Sequence, residues 1–266
     1  MKEIDNNEIQ SILFDLSKKF ILSKYNNLDP EDIKIKNNND IFTCVDVIVE
    51  EELSNILCKL LPGSLFVGEE KFSQFPKIIN NYEQNEYCWT VDPLDGTKNF
   101  VKGKEKFAVM IALTFGNKIL QSWIYKPLTN EMFYAIKNKG TFFDGKKIKT
   151  NRINSIKDSI GSISTKYWDD KNLLKMKSIK SNFLEIQSYG CIGLEYVDMV
   201  NNKRDFAILS KLSPWDHISG IFLLREAGGF DCYFDEGTYN YCFQKRNLIV
   251  ANNAKLGEQI LSIIKE

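Results

Sequence analysis

The chain has 266 residues, and its 35 Lys and Arg balance its 35 Asp and Glu, so no overall field exists to gather nucleic acid or anionic lipid. A 43% hydrophobic content suffices for a sizeable buried core and excludes a disordered or collagen-like chain. No apolar run reaches the ~18 residues of a membrane span, and the start Met1-Lys2-Glu3-Ile4-Asp5 lacks the layout of a signal peptide, so a cytoplasmic protein is expected.

Ile9, Ile12, Leu13, Leu16, Phe20 and Ile21 share one helical face and predict an amphipathic helix over 8–25, broken by Asn26-Asn27 and Asp29-Pro30. The stretch 34–40 is polar and unpatterned and predicts a mobile loop. Val45, Val49, Leu53 and Leu57 recur at helical spacing and predict a helix over 45–61, stopped by Pro62-Gly63. Short apolar runs at 65–67 and 87–91 read as strands. Further β-rich segments at 107–115, 118–125, 131–136 and 141–143, with short turns such as Gly116-Asn117 and Asp144-Gly145 between or after them, predict an antiparallel sheet. Beyond about residue 155, strands at 159–164, 183–188, 206–209 and 248–251 alternate with helices at 170–179, 194–201, 216–227 and 255–264. With no repeat or linker, the halves are expected to share one core.

The six cysteines contain no C-x-x-C pair and are expected as free thiols. The single histidine, His217, excludes a His-rich zinc site, and a Ser-His-Asp hydrolase would have to use it. Polar catalysis therefore falls to carboxylates. Three acidic clusters sit where a strand ends or a helix begins: Gly68-Glu69-Glu70, Asp92-Pro93-Leu94-Asp95-Gly96-Thr97, and Trp215-Asp216-His217. Singly, each has a plain reading as a solvated turn, a tight turn with Thr97 as helix cap, or a helix cap at Asp216. The second says more. Pro93 fixes the backbone between two acids and Gly96 permits a tight turn, so both carboxylates and the Leu94 carbonyl can aim at one point. Those hard oxygen donors select Mg²⁺ or Mn²⁺ over zinc or copper. A helix starting at Thr97 would set free N–H groups beside them for a phosphate.

Glu69-Glu70, Trp89-Thr90-Val91-Asp92-Pro93-Leu94-Asp95-Gly96-Thr97, and Trp215-Asp216 with Glu226-Ala227-Gly228-Gly229 together resemble the signature of the inositol monophosphatase family of lithium-sensitive, Mg²⁺-dependent phosphatases. The resemblance implies an α/β sandwich of alternating helix and sheet layers (αβαβα), as one domain over 1–266 with an α+β lobe at about 1–150 and an α/β lobe at about 151–266. It implies two or three Mg²⁺ per site, with Mn²⁺ as substitute, and a homodimer. Glu69, Asp92 and the Leu94 carbonyl would hold the first ion, and Asp92, Asp95 and Asp216 the second. Gly96 and Thr97 would bind phosphate, while Asp46, Thr97 and Glu69 orient and deprotonate the attacking water. Gly190 and Cys191 would lie at the substrate, and Lys36 would reach the phosphate. The implied activity is hydrolysis of a small polyol or sugar phosphate, inositol 1-phosphate being the family default, without nucleic acid or membrane as partner.

Departures from the family pattern bear on the substrate. Leu209 stands where inositol-specific members carry an acid, and Cys191-Ile192 replace small or hydroxyl-bearing residues. Lys98 resembles the bisphosphate nucleotidases, whereas Asn99 resembles inositol and histidinol phosphatases. A 3'(2'),5'-bisphosphate nucleotidase and a histidinol-phosphate phosphatase are the alternatives. Some family members instead serve as binding partners of the transcription or translation machinery, a reading to which zero net charge lends no support for direct RNA contact.

Overall fold

The computed structural model describes residues 3–36, 40–150, 155–243 and 245–266. Helix α1 (Asn6–Leu16) starts at Asp5, whose carboxylate accepts from the Asn7 N–H, and a π-helical turn over Ser17–Ile21 extends it. Where the sequence predicts a loop over 34–40, the chain instead forms an antiparallel hairpin of β1 (Ile33–Lys36) and β2 (Asp40–Thr43); residues 37–39 lie outside the described residues. Backbone pairing makes these strands: Ile35 is 72% exposed, so no apolar alternation announces them. Helix α2 (Cys44–Leu60) follows at once, capped by Thr43 with Asp46 reciprocating.

Strand β3 (Leu65–Gly68) leads into α3 (Glu69–Gln74), and a 3₁₀ stretch over Pro76–Glu83 returns the chain to β4 (Tyr87–Asp95). After the short α4 (Thr97–Val101) come β5 (Ala108–Phe115), β6 (Lys118–Lys126), β7 (Glu131–Ile136), β8 (Gly140–Phe143) and β9 (Lys146–Ile148). Among the described residues, β3 to β9 form one sheet in sequence order, antiparallel except for the parallel β3–β4 pair. The second half supplies β10 (Ile160–Ile163), α5 (Asp170–Ser178), β11 (Glu185–Ile186), α6 (Ile192–Val200), β12 (Phe206–Leu209), α7 (Pro214–Glu226), β13 (Phe230–Tyr233), β14 (Leu248–Ala251) and α8 (Ala254–Lys265). Its sheet runs β11-β10-β12-β14-β13. Strand β13 is missed by sequence reading because Asp231 interrupts its apolar run; that acid is buried against Arg225.

Period-two alternation sorts the strands into layers. On β5, Val109, Ile111 and Leu113 face a core shared with α1 and α2, whereas Ala108, Met110 and Ala112 face one shared with α6 and α7. On β14, Leu248 and Val250 join that central core, while Ile249 and Ala251 pack outward with Leu256 and Ile260 of α8. The architecture is mixed α/β in five layers: helices, large sheet, α6 and α7, small sheet, helices. The described cysteines are free thiols. No helix among the described residues is long and apolar enough to cross a membrane.

Candidate active site

The buried face of α2 carries a polar stripe at successive turns, Asp46, Glu50 and Ser54. Asp46 Oδ2 accepts from the Thr43 N–H (2.8 Å) and hydroxyl (2.6 Å), and its Oδ1 lies 3.0 Å from the Thr97 hydroxyl. Burial pushes the Asp46 carboxyl above its ordinary value, opposed by those hydrogen bonds. One turn on, the Glu50 carboxylate accepts from the N–H groups of Glu70 (2.7 Å) and Lys71 (2.8 Å) and so satisfies two free donors at the start of α3. A Cβ on Gly68 would lie 2.3 Å from the Glu50 carboxyl carbon, so the close approach requires glycine there. Ser54 accepts from Lys71 Nζ at 2.6 Å. Thus α2 clamps the first turn of α3, which bears Glu69.

The Lys36 ammonium sits at this turn, 3.2 Å from Glu69 Oε1 and 2.5 Å from Glu70 Oε1. The sequence reading assigns Lys36 to phosphate; the structure pairs it with these two acids, whose attraction raises its pKa despite burial.

Asp92 and Asp95 do not follow a finished strand. Strand β4 continues through Pro93, and its register on β5 shifts between Asp92 and Asp95. Such an irregularity is where a sheet tolerates proline and where side chains are re-aimed. Asp92 Oδ1 accepts from the Leu94 N–H at 3.0 Å, bracing its carboxylate. Gly96 then turns the chain with φ +89°, and a Cβ there would meet the Lys106 carbonyl oxygen at 2.5 Å. Gly96 precedes α4, so Thr97 is its first residue and not its cap; the Thr97 hydroxyl also lies 2.9 Å from the Leu94 carbonyl.

From the second half, α6 addresses Asp95. The Gly193 N–H (2.6 Å) and Cys191 thiol (3.1 Å) both donate to Asp95 Oδ2. Cys191, expected at the substrate, therefore spends its S–H on an acid of the site; burial and that acid push its thiol well up. The neighbouring Tyr189 and Gly190 carbonyls accept from Asn99 Nδ2, which ties this loop to α4. Asp216 lies in the first turn of α7. The next residue, His217, sets Nε2 3.1 Å from the Lys211 carbonyl, which can only accept, so its Nδ1 accepts from the Tyr196 hydroxyl at 3.1 Å. Burial drives His217 down to about 4, and the neutral ring braces the loop before α7.

These segments converge. Among the described residues, carboxylate oxygens of Glu69, Asp92 and Asp216 lie within 4.8 Å of one another. Asp95 stands outside that trio yet lines the same cavity of about 590 Å³, together with Lys36, Leu94, Gly96, Thr97, Gly190 and Cys191. Asp46 touches it through Thr97. Burial, reinforced by Asp216 and Asp46, pushes Glu69 up to about 8 against the pull of Lys36. Burial, Glu69, Asp95 and Asp216 hold Asp92 well above the usual carboxylate range, and burial takes Asp95 to about 6 against its hydrogen bonds. Crowded, desolvated carboxylates favour protons or cations. The donor set is all oxygen, which fits a hard divalent cation.

Sequence reasoning missed Glu50 and Glu195. Glu195 lines the cavity from α6, and its Oε1 accepts from the Ser188 hydroxyl (3.0 Å) and the Tyr189 N–H (2.7 Å) while Oε2 accepts from Ser162. The signal for both lay in the pattern: each is an acid on the apolar face of a helix. Buried acids need partners.

The chain is similar to known proteins along nearly its whole length. The model of the inositol monophosphatase family matches residues 5–266. "Nus factor SuhB" of Vibrio cholerae is 31% identical over 238 residues, covering 87% of this chain and 85% of that protein. "Fructose-1,6-bisphosphatase/inositol-1-monophosphatase" of Aquifex aeolicus is 29% identical over 242 residues, covering 89% and 86%. The solved suhB protein of Bartonella henselae superposes with a TM-score of 0.84 at 24% identity over 98% of both chains. An unbroken match across the whole fold, with the acidic motifs gathered at one cavity, places the chain in the inositol monophosphatase family.

Proposed function

We propose that the protein is a Mg²⁺-dependent phosphomonoesterase hydrolysing a small polyol or sugar phosphate. The observation that carries this reading is the meeting of Glu69, Asp92 and Asp216, from α3, β4 and α7, beside the Thr97–Asp46 hydrogen bond. In this reading Glu69, Asp92 and the Leu94 carbonyl would hold one ion, and Asp92, Asp95 and Asp216 a second. Bound Mg²⁺ supplies neutralisation of the phosphate and a lowered pKa for water.

The chain's own groups do the rest. Glu50 fixes the turn that bears Glu69, and the Cys191 thiol and Gly193 N–H fix Asp95. The Gly96–Thr97 backbone receives phosphate. The Thr97 hydroxyl passes its proton to Asp46 Oδ1 and takes the one lost by the attacking water, which Glu69 helps orient; as the new P–O bond forms, the P–O bond to the alcohol breaks and its oxygen leaves with a proton from solvent. No covalent intermediate is required. Residues on both sides of 150, such as Met110 and Val250, share the central core, which supports one domain of two lobes. A homodimer and a cytoplasmic site of action belong to the same reading and are tested by sedimentation and fractionation.

Turnover of inositol 1-phosphate, fructose 1,6-bisphosphate, adenosine 3',5'-bisphosphate and histidinol phosphate, with and without Mg²⁺, tests the reading. Wild type should require the metal, and Asp95→Asn should lose more than about 10²-fold, as removal of a preorganised electrostatic group does. Metal-independent hydrolysis, or full activity in that variant, contradicts it. The SuhB-named relative gives a second reading, a partner of the transcription machinery. Survival of the cellular phenotype in an Asp95→Asn strain would favour it.

A further inference from the structure

The segment between β11 and α6, residues 187–191, has no regular secondary structure, yet it brings Ser188, Gly190 and Cys191 to the active-site cavity. Its backbone polar groups therefore depend on side chains from elsewhere. Two acids one turn apart on α6 take the two ends of Tyr189. Glu195 Oε1 accepts from the Tyr189 N–H (2.7 Å) and the Ser188 hydroxyl (3.0 Å), and Asp198 Oδ2 accepts from the Tyr189 hydroxyl (2.8 Å). Arg204, just before β12, completes the frame. Its guanidinium donates to the Gln187 carbonyl, lies 3.9 Å from the centre of the Tyr189 ring and sets Nη1 4.0 Å from Glu195 Oε2.

The Arg204 and Glu195 side chains are 2% and 3% exposed, so this is an ion pair in the core. Such a pair is a poor source of stability. Taking both charges out of water costs about as much as their attraction contributes, and a well-packed neutral pair is often as stable. The gain is smaller still here, because Arg204 Nε and Nη1 find no hydrogen-bond acceptor among the described residues. A buried arginine with two unused nitrogens is explained by what it holds. It holds the loop that carries Gly190, which turns at φ +66°, and Cys191, whose thiol braces Asp95 at 3.1 Å.

Resting on the phosphatase reading for its effect on turnover, we infer that Arg204 is a positioning residue of the active site: through the Gln187 carbonyl and the Tyr189 ring, and balanced by Glu195, it fixes the loop that brings Cys191 to Asp95. It acts through that loop and not on the ester. A shift of the loop by about 1 Å takes the thiol away from Asp95, and misplacement on that scale can cost turnover about 10²-fold.

The test uses Glu195→Gln/Arg204→Met, which removes both charges from the core and leaves the Tyr189 N–H an acceptor, beside Arg204→Met alone. The single variant leaves a buried carboxylate unbalanced and should lower Tm by roughly 10 °C. The double variant should recover most of that Tm, yet lose about tenfold or more in kcat/KM for the ester that wild type hydrolyses best. A second readout needs no turnover: alkylation of the metal-free protein by N-ethylmaleimide, mapped by peptide mass spectrometry. Cys191 and Cys88 are each 1% exposed, and Cys88 lies seven residues up β4 from Asp95. In the double variant Cys191 should react about tenfold faster or more, with Cys88 unchanged. Unchanged protection of Cys191 or unchanged kcat/KM in the folded double variant overturns the inference, as does equal unmasking of both thiols, which is general loosening. Should the double variant not fold, Arg204→Lys takes its place. It keeps the charge beside Glu195, but one ammonium cannot both reach Gln187 and lie flat on the ring, so the same selective unmasking is expected. If wild type hydrolyses no ester while Cys191 is selectively unmasked in the variant, the phosphatase reading fails and the positioning role stands.

Discussion

Glu50 makes no contact with the proposed metals, yet its removal should cripple their binding. In Glu50→Ala the N–H groups of Glu70 and Lys71, now 2.7 and 2.8 Å from the carboxylate, lose their acceptor. Each buried donor left unpaired costs about 1–3 kcal/mol. Part is offset because the buried acid no longer has to be desolvated, leaving a net loss on the order of 2 kcal/mol. For a chain of this size that lowers Tm by about 4–8 °C. The larger effect is local: the first turn of α3 loosens and Glu69 no longer faces Asp92 and Asp216. Partners that orient metal ligands are typically worth about 10–100-fold in affinity, so half-saturating Mg²⁺ should rise by that factor. Calorimetric Mg²⁺ titration beside thermal unfolding of metal-free protein separates the two effects. A fall in Tm with unchanged Mg²⁺ affinity would refute the idea that α2 positions Glu69 through this carboxylate.

Protons should compete with metal. Glu69 is pushed up to about 8 and Asp95 to about 6, so lowering the pH from 8 to 6 protonates Glu69 almost fully and Asp95 about half, and should raise half-saturating Mg²⁺ by about tenfold or more; a flat profile contradicts the site. Stability of the metal-free protein should follow the opposite course. The folded-state pKa of Glu50 is raised from 4.5 to about 7, so its contribution is fully present below pH 4.5 and is lost as pH rises through about 7. Tm of metal-free wild type should therefore fall between pH 5 and 8, and Glu50→Gln should flatten that slope. Gly96→Ala combines about 1–2 kcal/mol of left-handed strain with a clash on the Lys106 carbonyl. It should raise KM for every ester, whatever its alcohol, and unaltered KM would remove Gly96 from the phosphate pocket.

The positions of the acids could be read from sequence because each cluster stands at a junction that local patterns mark. A strand runs into Asp92-Pro93, Pro62-Gly63 and a strand precede Glu69, and Pro214-Trp215 opens the helix of Asp216. Their depth could not be read, since the arrangement of Asp92 and Asp95 depends on a register shift against β5 that only pairing reveals. The β1–β2 hairpin escaped for a related reason: exposed strands held by backbone hydrogen bonds leave no apolar period. Glu50 escaped because a charge on a helix usually marks the solvated face; here it marks where a second helix begins. Cys191 lines the cavity, as its position in the sequence suggests, but no spacing rule reports that its thiol donates to Asp95.

The account turns on whether acids from three distant segments hold cations together at one site, with Asp92 common to them. Calorimetric titration of Mg²⁺ at pH 8 into wild type and into Asp92→Asn, a nearly isosteric change at the carboxylate that the Leu94 N–H braces, measures this most directly. The prediction is saturable binding accompanied by proton release in wild type, and loss of that binding in a variant that remains folded. Equal Mg²⁺ affinity in the two proteins would contradict it.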